Sequence, residues 1–361
     1  MSRRDIHYWK CDRPAAFYGT RTRISPTAEM EQQLLDSLVQ HFRPRSLQLS
    51  LGCGQGNHLT WNAELDGKPL FIRVENGPEK DDYLEMESAV LKAVGDIGVP
   101  VPEVHGCDVS RTHVPFAWQA LERLNHQDLN HWCKQGALDS HQVSFEIGRN
   151  IARWQSITPP GFGPFDLDAY RSTGELRGLH GDYASWFMLR LDQHLQFLTE
   201  STFLSASQHK RIARTIREHE NLLQLEQGCL VHKDLALWNV LGEPNRIAAF
   251  IDFDDAISGD PLDDLSLLAC FHDCAFIDRA VAGYTSVRPL SAQYRRRMWL
   301  HLLRNMIVKA VIRVGSGYFG RDGGLFLIGP GDNGQSLRQQ TEHRIETALK
   351  GLQTNSEFST L

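Results

Sequence analysis

The spacing of hydrophobic residues changes near residue 125 of this 361-residue chain. Up to there, short runs alternate apolar and polar positions, the period-two pattern of half-buried strands. They are LQLSL (47–51), HLTWNAEL (58–65) and PLFIRVE (69–75), with Asp66-Gly67 marking a tight hairpin between the last two. Residues 1–45 read as an N-terminal extension ending in a helix: Met30, Leu34, Leu35, Leu38 and Val39 recur at helical spacing, with Thr27 or Ser25 as cap. A further helix is expected over 83–94, closed by Gly95 and Gly98 with Pro100 beyond. VPVPEVHGCD (99–108) and PFAWQALERL (115–124) read as two more strands.

Beyond residue 125 the period becomes helical. Helices are expected over 145–157, 183–198, 205–225, 262–285, 291–314 and 336–352, with a Gly-rich stretch at 315–335. Within them lies a strand-rich island, CLVH (229–232), NVLG (239–242) and IAAFIDF (247–253). The layout is a strand-dominated lobe over 46–124 and a larger helical lobe over 125–361.

Composition narrows the function classes. A hydrophobic share of 41% and a charged share of 23% are ordinary for a soluble globular protein. The net charge of −6 argues against nucleic acid or an anionic membrane as the main partner. The most apolar helix, 298–314, carries His301, Arg304, Lys309 and Arg313 and reads as a packed helix rather than a membrane span. The N-terminus lacks the apolar stretch of a secretory signal, and seven scattered cysteines fit reduced thiols, so a cytoplasmic location is expected. Cys270, His272 and Cys274 lie close together, but on a helix 272 points away from the other two. Buried thiols are the better reading there than a zinc site.

The candidate chemistry lies in His232-x-Asp234-x4-Asn239, with Asp252 thirteen positions further on inside an apolar run. Phosphoryl transfer asks for a carboxylate that orients a hydroxyl and accepts its proton. It also needs oxygen ligands that hold magnesium against phosphates. The short spacer lets one loop present Asp234 and Asn239, and the strand–turn–strand that follows brings Asp252 back beside them.

HKDLALWNVL and IDFDDAISGDPLDDLSLL resemble the aminoglycoside phosphotransferase and choline kinase-like families, relatives of the protein kinases. Their pattern is H-x-D-x4-N, then I-D-[FW]-[DE]-x-A-x2-G-D-P-x2-D-L. The match falls at His232, Asp234, Asn239, Ile251, Asp252, Phe253, Asp254, Ala256, Gly259, Asp260, Pro261, Asp264 and Leu265. The resemblance implies an α+β, two-lobe, protein-kinase-like fold with an antiparallel-sheet N-lobe that binds ATP or GTP. It implies Asp234 as catalytic base, Asn239 and Asp252 as Mg2+ ligands, and His232, Asp260 and Asp264 as supporting residues.

The same resemblance assigns the strand lobe. Gly52, Gly54 and Gly56 form the glycine-rich turn over the phosphates, with Asn57 beside it. Arg73 stands where the family usually has a lysine, paired with Glu87 (Glu85 being the competitor), and the backbones of Glu122 and Leu124 meet the adenine. LSLGCGQG also looks like the first motif of S-adenosylmethionine-dependent methyltransferases, but a DG hairpin follows it instead of a helix. A catalytically inactive nucleotide-binding protein is the other alternative. Trp238, Asp254 and Asp255, with GFGPFDLDAY (161–170), are the candidates for contact with the acceptor. Phe162 and Phe165 read rather as core anchors and Asp182 as a helix cap. No A-P-E segment follows Asp252, so the expected partner is a small hydroxylated molecule (aminoglycoside, amino sugar or sugar) rather than a protein.

Overall fold

The alternating runs pair as expected in the computed structural model, which describes residues 8–12, 25–52, 58–76, 80–322 and 334–361. Strands β1 (Leu47–Leu51), β2 (His58–Leu65) and β3 (Lys68–Glu75) form an antiparallel meander. Asp66 and Gly67 both take positive φ (50° and 82°), the conformation a two-residue hairpin requires. β4 (Val104–Asp108) and β5 (Trp118–Glu122) complete a five-stranded antiparallel sheet of order β1-β2-β3-β5-β4.

Two helices flank this sheet. Helix α1 (Ala28–Phe42) begins where Thr27 Oγ1 accepts the Met30 amide. Its Met30, Leu34 and Leu38 bury against Leu59, Trp61, Leu70 and Trp118. The two indoles find acceptors on the same helix, Trp61 at Glu31 (3.1 Å) and Trp118 at Ser37 (3.0 Å). Helix α2 (Tyr83–Asp96) carries Glu87 toward β3. Residues 8–12 pack instead into the helical lobe, so the N-terminal extension is built into both lobes.

The C-lobe follows through β6 (Gln127–Asp128) and α3 (Leu129–Lys134) to α4 (Ser140–Trp154), which starts at the Asp139 cap, earlier than its hydrophobic period suggested. Strand β7 (Phe162–Phe165), helix α5 (Leu167–Thr173) and strand β8 (Gly178–His180) come next, then α6 (Tyr183–Met188), α7 (Leu191–Glu200) and α8 (Ala206–Glu218). The single helix expected over 183–198 is therefore two, broken where Leu189 is extended and Arg190 takes φ 53°. Phe162 and Phe165 are buried, and Asp182 caps α6 by accepting the Ser185 amide at 3.0 Å.

β9 (Cys229–Val231), β10 (Val240–Glu243), β11 (Arg246–Phe250) and β12 (Ile257–Gly259) form two small sheets, β11-β10-β6 and β8-β7-β12-β9. The helices α9 (Asp263–Leu268), α10 (Cys274–Thr285), α11 (Tyr294–Gly315) and α12 (Gly334–Thr354) close the lobe. The stretch expected as one helix over 262–285 is interrupted at 269–273 and restarts at the Asp273 cap. Helices α4 and α10 cross closely: a Cβ on Gly148 would lie 1.8 Å from the Ala280 carbonyl oxygen, and one on Gly283 1.9 Å from that of Phe145. Only glycine permits that approach.

Candidate active site

β9 delivers His232 into a loop that is pinned from several sides. His232 Nε2 lies 2.9 Å from the Ile251 carbonyl, and its Nδ1 is 3.3 Å from the Asp234 amide. The amide can only donate, so Nδ1 accepts and Nε2–H donates. One imidazole thus ties the loop bearing Asp234 to the strand end bearing Asp252. The Asn239 side-chain amide donates to the Asp234 carbonyl (2.8 Å) and reaches its carboxylate at 3.4 Å. The Ile251 amide returns to the Asn239 carbonyl (3.0 Å). Asp234, Asn239 and Asp252 are therefore brought together, with Asp252 held in a left-handed conformation, φ 68°.

Across the cleft, Arg73 on β3 joins the lobes. Its Nη1 is 2.5 Å from both oxygens of Glu87, and its Nη2 is 2.9 Å from Asp252 Oδ1. Burial disfavours the guanidinium charge, but Glu87, Asp252 and Asp254 outweigh it and hold the pKa above its ordinary value. Burial pushes the Glu87 carboxyl up, opposed by Arg73 and reinforced by Asp254 and Asp252. Glu85 instead meets Arg171 at the surface, so Glu87 is the partner.

Three carboxylates around one guanidinium leave surplus negative charge. Asn239, whose nitrogen is committed to Asp234, offers its amide oxygen. Such an all-oxygen donor set with excess carboxylate charge fits a magnesium ion.

The supporting residues sit below. Asp264, at the start of α9, accepts the His232 amide (3.0 Å), the Lys233 amide (3.1 Å) and the Trp154 indole (3.1 Å), and burial raises its pKa. Asp260 is buried, yet His301 (3.0 Å) and Arg297 (2.6 Å) outweigh burial and hold its carboxyl well below the usual range.

At the end of β1, Gly52 donates to the Thr60 carbonyl (2.8 Å), and a Cβ there would meet Thr60 Oγ1 at 2.6 Å. Gly54, Gly56 and Asn57 lie outside the described residues. β1 pairs antiparallel with β2, the next described element, which is not the strand–helix context of the methyltransferase motif. The Glu122 amide donates to Glu103 O (2.8 Å), so an adenine contact from Glu122 falls to its carbonyl, while Leu124 lies just past β5.

Among the acceptor candidates, Trp238 packs edge-on against Phe271, with ring centroids 4.8 Å apart. Asp254 is buried near Arg73 and 4.0 Å from His58 Nε2, which puts it against the strand lobe. Asp255 is buried in the same single turn.

Several residues of the site escaped the sequence reading: Lys233, Asp263, Asn305, His301, Arg297 and Trp154. Asp263 stood in the motif beside Asp264, but nothing local marked its partner, Lys233, as buried.

The profile of the phosphotransferase enzyme family matches residues 51–300. No curated protein sequence matches. Among solved structures, the aminoglycoside phosphotransferase APH(4)-Ia superposes with a TM-score of 0.62 at 15% identity, over 89% of this chain and 98% of its own. A thermostable mutant of that enzyme, in ternary complex with ADP and hygromycin B, gives 0.61 at 16%, over 87% and 97%. A fructosamine-3-kinase candidate from Thermobifida fusca YX-ER1 gives 0.58 at 20%, over 83% and 93%. Among the described residues, no helix is long and apolar enough to cross a membrane. The chain belongs to the phosphotransferase enzyme family and has its two-lobe, kinase-like α+β fold.

Proposed function

We propose that this chain transfers the γ-phosphate of ATP, or of GTP, to a hydroxyl of a small molecule such as an aminoglycoside, amino sugar or sugar. The observation that carries this reading is Arg73, which bridges Glu87 and Asp252 beside the linked pair Asp234–Asn239. Arg73 grips the α- and β-phosphates across the cleft. Asn239 and Asp252 would hold magnesium, which would supply neutralisation of phosphate charge. Asp234 orients the acceptor hydroxyl and takes its proton. The acceptor oxygen bonds to Pγ as the bond from Pγ to the bridging oxygen breaks, and the nucleoside diphosphate leaves. His232, Asp260 and Asp264 keep the loop in register. The six cysteines among the described residues are free thiols, which suits a reducing compartment, the cytoplasm.

A thermal-shift comparison tests the donor. ATP–Mg2+ is expected to raise Tm and S-adenosylmethionine to leave it unchanged; the reverse favours the methyltransferase. A transfer screen over aminoglycosides, amino sugars, free sugars and amino alcohols, read by mass spectrometry, then identifies the acceptor. Nucleotide binding with no transfer to any of them is the result expected of an inactive homologue.

A further inference from the structure

Between His232 and Asp234 stands Lys233, a non-glycine residue at φ 67° whose side chain is fully buried. Left-handed backbone costs on the order of 1–2 kcal/mol for such a residue and persists only where the surroundings impose it. Here they impose it at both ends of the residue. The backbone amide is held by Asp264, and the ammonium by Asp263 Oδ2 (2.6 Å) and Asn305 Oδ1 (3.1 Å). Asn305 returns its own amide to Asp263 Oδ1 (2.9 Å).

The remaining side of the ammonium faces rings. The Trp9 centroid is 4.9 Å away, that of Tyr8 5.5 Å and that of Trp186 5.6 Å. Two of the three come from a segment more than 220 residues earlier in the chain. That segment is latched independently. Tyr8 stacks on Trp186 (4.9 Å) and lies under the Arg304 guanidinium (3.8 Å), while Asp12 accepts from His194 (2.9 Å). Cys11, Asp12 and His194 have metal-ligand proximity. But Arg304 donates to His194 Nδ1 (3.0 Å), which leaves Nε2–H to Asp12 and no lone pair for an ion. The cluster is therefore a latch.

We propose that Lys233 is a positioning residue for phosphoryl transfer, and that Tyr8–Asp12 is a strap whose aromatic faces hold Lys233 so that Asp234 keeps its place. This rests on Asp234 being the base. Burial works against the ammonium, and Asp263 restores its charge. Without the rings that charge meets water, and the left-handed turn loses part of what enforces it.

The test uses full-length Trp9→Leu, which removes the π face, and Trp9→Phe, which keeps one. Amide hydrogen exchange over 232–239 is expected to quicken about 5–30-fold in Trp9→Leu, and little in Trp9→Phe, with α4 and α10 unchanged. Exchange at 232–239 equal to wild type in Trp9→Leu, or equal loosening in both variants, overturns the strap. In parallel, ATP–Mg2+ turnover with water as acceptor is expected to lose about 10–100-fold in kcat in Trp9→Leu, at unchanged KM for ATP. The charge-neutral double variant Lys233→Met/Asp263→Asn checks the positioning role. A kcat that recovers with its Tm overturns that role, and a kcat that stays low at wild-type Tm supports it. A wild type that neither binds nor turns over ATP counts against the proposed function, while exchange still decides the strap.

Discussion

Asn239 donates its side-chain amide to the backbone carbonyl of Asp234 at 2.8 Å, so the candidate metal ligand and the candidate base move as one unit. Asn239→Asp keeps an oxygen for the cation and removes the donor. Turnover is expected to fall about 10–100-fold while magnesium-dependent nucleotide binding survives. Asn239→Ala is expected to weaken both. Calorimetry with ATP at fixed and zero magnesium, alongside steady-state rates, separates the two variants.

Arg73 makes contacts that no single ammonium reproduces, reaching Glu87 and Asp252 at once. Arg73→Lys is therefore expected to weaken ATP–Mg2+ binding even though the charge is kept. Arg73→Ala leaves Glu87 buried without its partner and is expected to cost about 3–5 kcal/mol of stability. Urea denaturation of both variants measures the difference, and Arg73→Ala/Glu87→Gln is expected to recover much of the loss.

The crossing of α4 and α10 has no room for a methyl group. Gly148→Ala places Cβ on the Ala280 carbonyl and is expected to destabilise by about 1–3 kcal/mol or more. Gly320, with nothing within 4 Å of its Cβ position, is expected to accept alanine within about 0.5 kcal/mol. Thermal melts of the two variants make the comparison.

Burial on the stack with Phe276 (3.9 Å) pushes the His272 pKa down to about 4, with Asp273 opposing and Arg344 assisting. The folded state then holds fewer protons than the unfolded chain between about pH 6.5 and 4. This group's contribution is complete above that window and is lost as pH falls through it. The ring is half-buried, so the loss is expected near 1–2 kcal/mol. Unfolding free energies of wild type and His272→Phe across pH 4–7 should diverge by that amount on acidification.

Much of this architecture could be read from the chain because the signals were local. Strands β1 to β3 declared themselves by alternation and by Asp66-Gly67, α1 by its helical spacing after Thr27 or Ser25, and the closeness of Asp234, Asn239 and Asp252 by motif spacing. The misses have physical causes. β7, β8 and β12 are three or four residues long, and β7 contains a glycine at φ 76°, so no period is visible in them. The helix over 183–198 kept its apolar rhythm through the break at Arg190, because both halves face the same core. Lys233 gave no sign of burial, since the groups that neutralise and cover it come from Asp263, Asn305 and residues 8–9.

In the proposed reaction Asp234 acts on the acceptor while Asp252 and Arg73 hold the nucleotide. Transfer of labelled γ-phosphate from ATP to the acceptor identified by screening, measured for wild type and Asp234→Ala beside calorimetric ATP–Mg2+ affinity, tests it most directly. Asp234→Ala is expected to lose transfer and keep wild-type nucleotide affinity. Transfer at near wild-type rate in Asp234→Ala would contradict it.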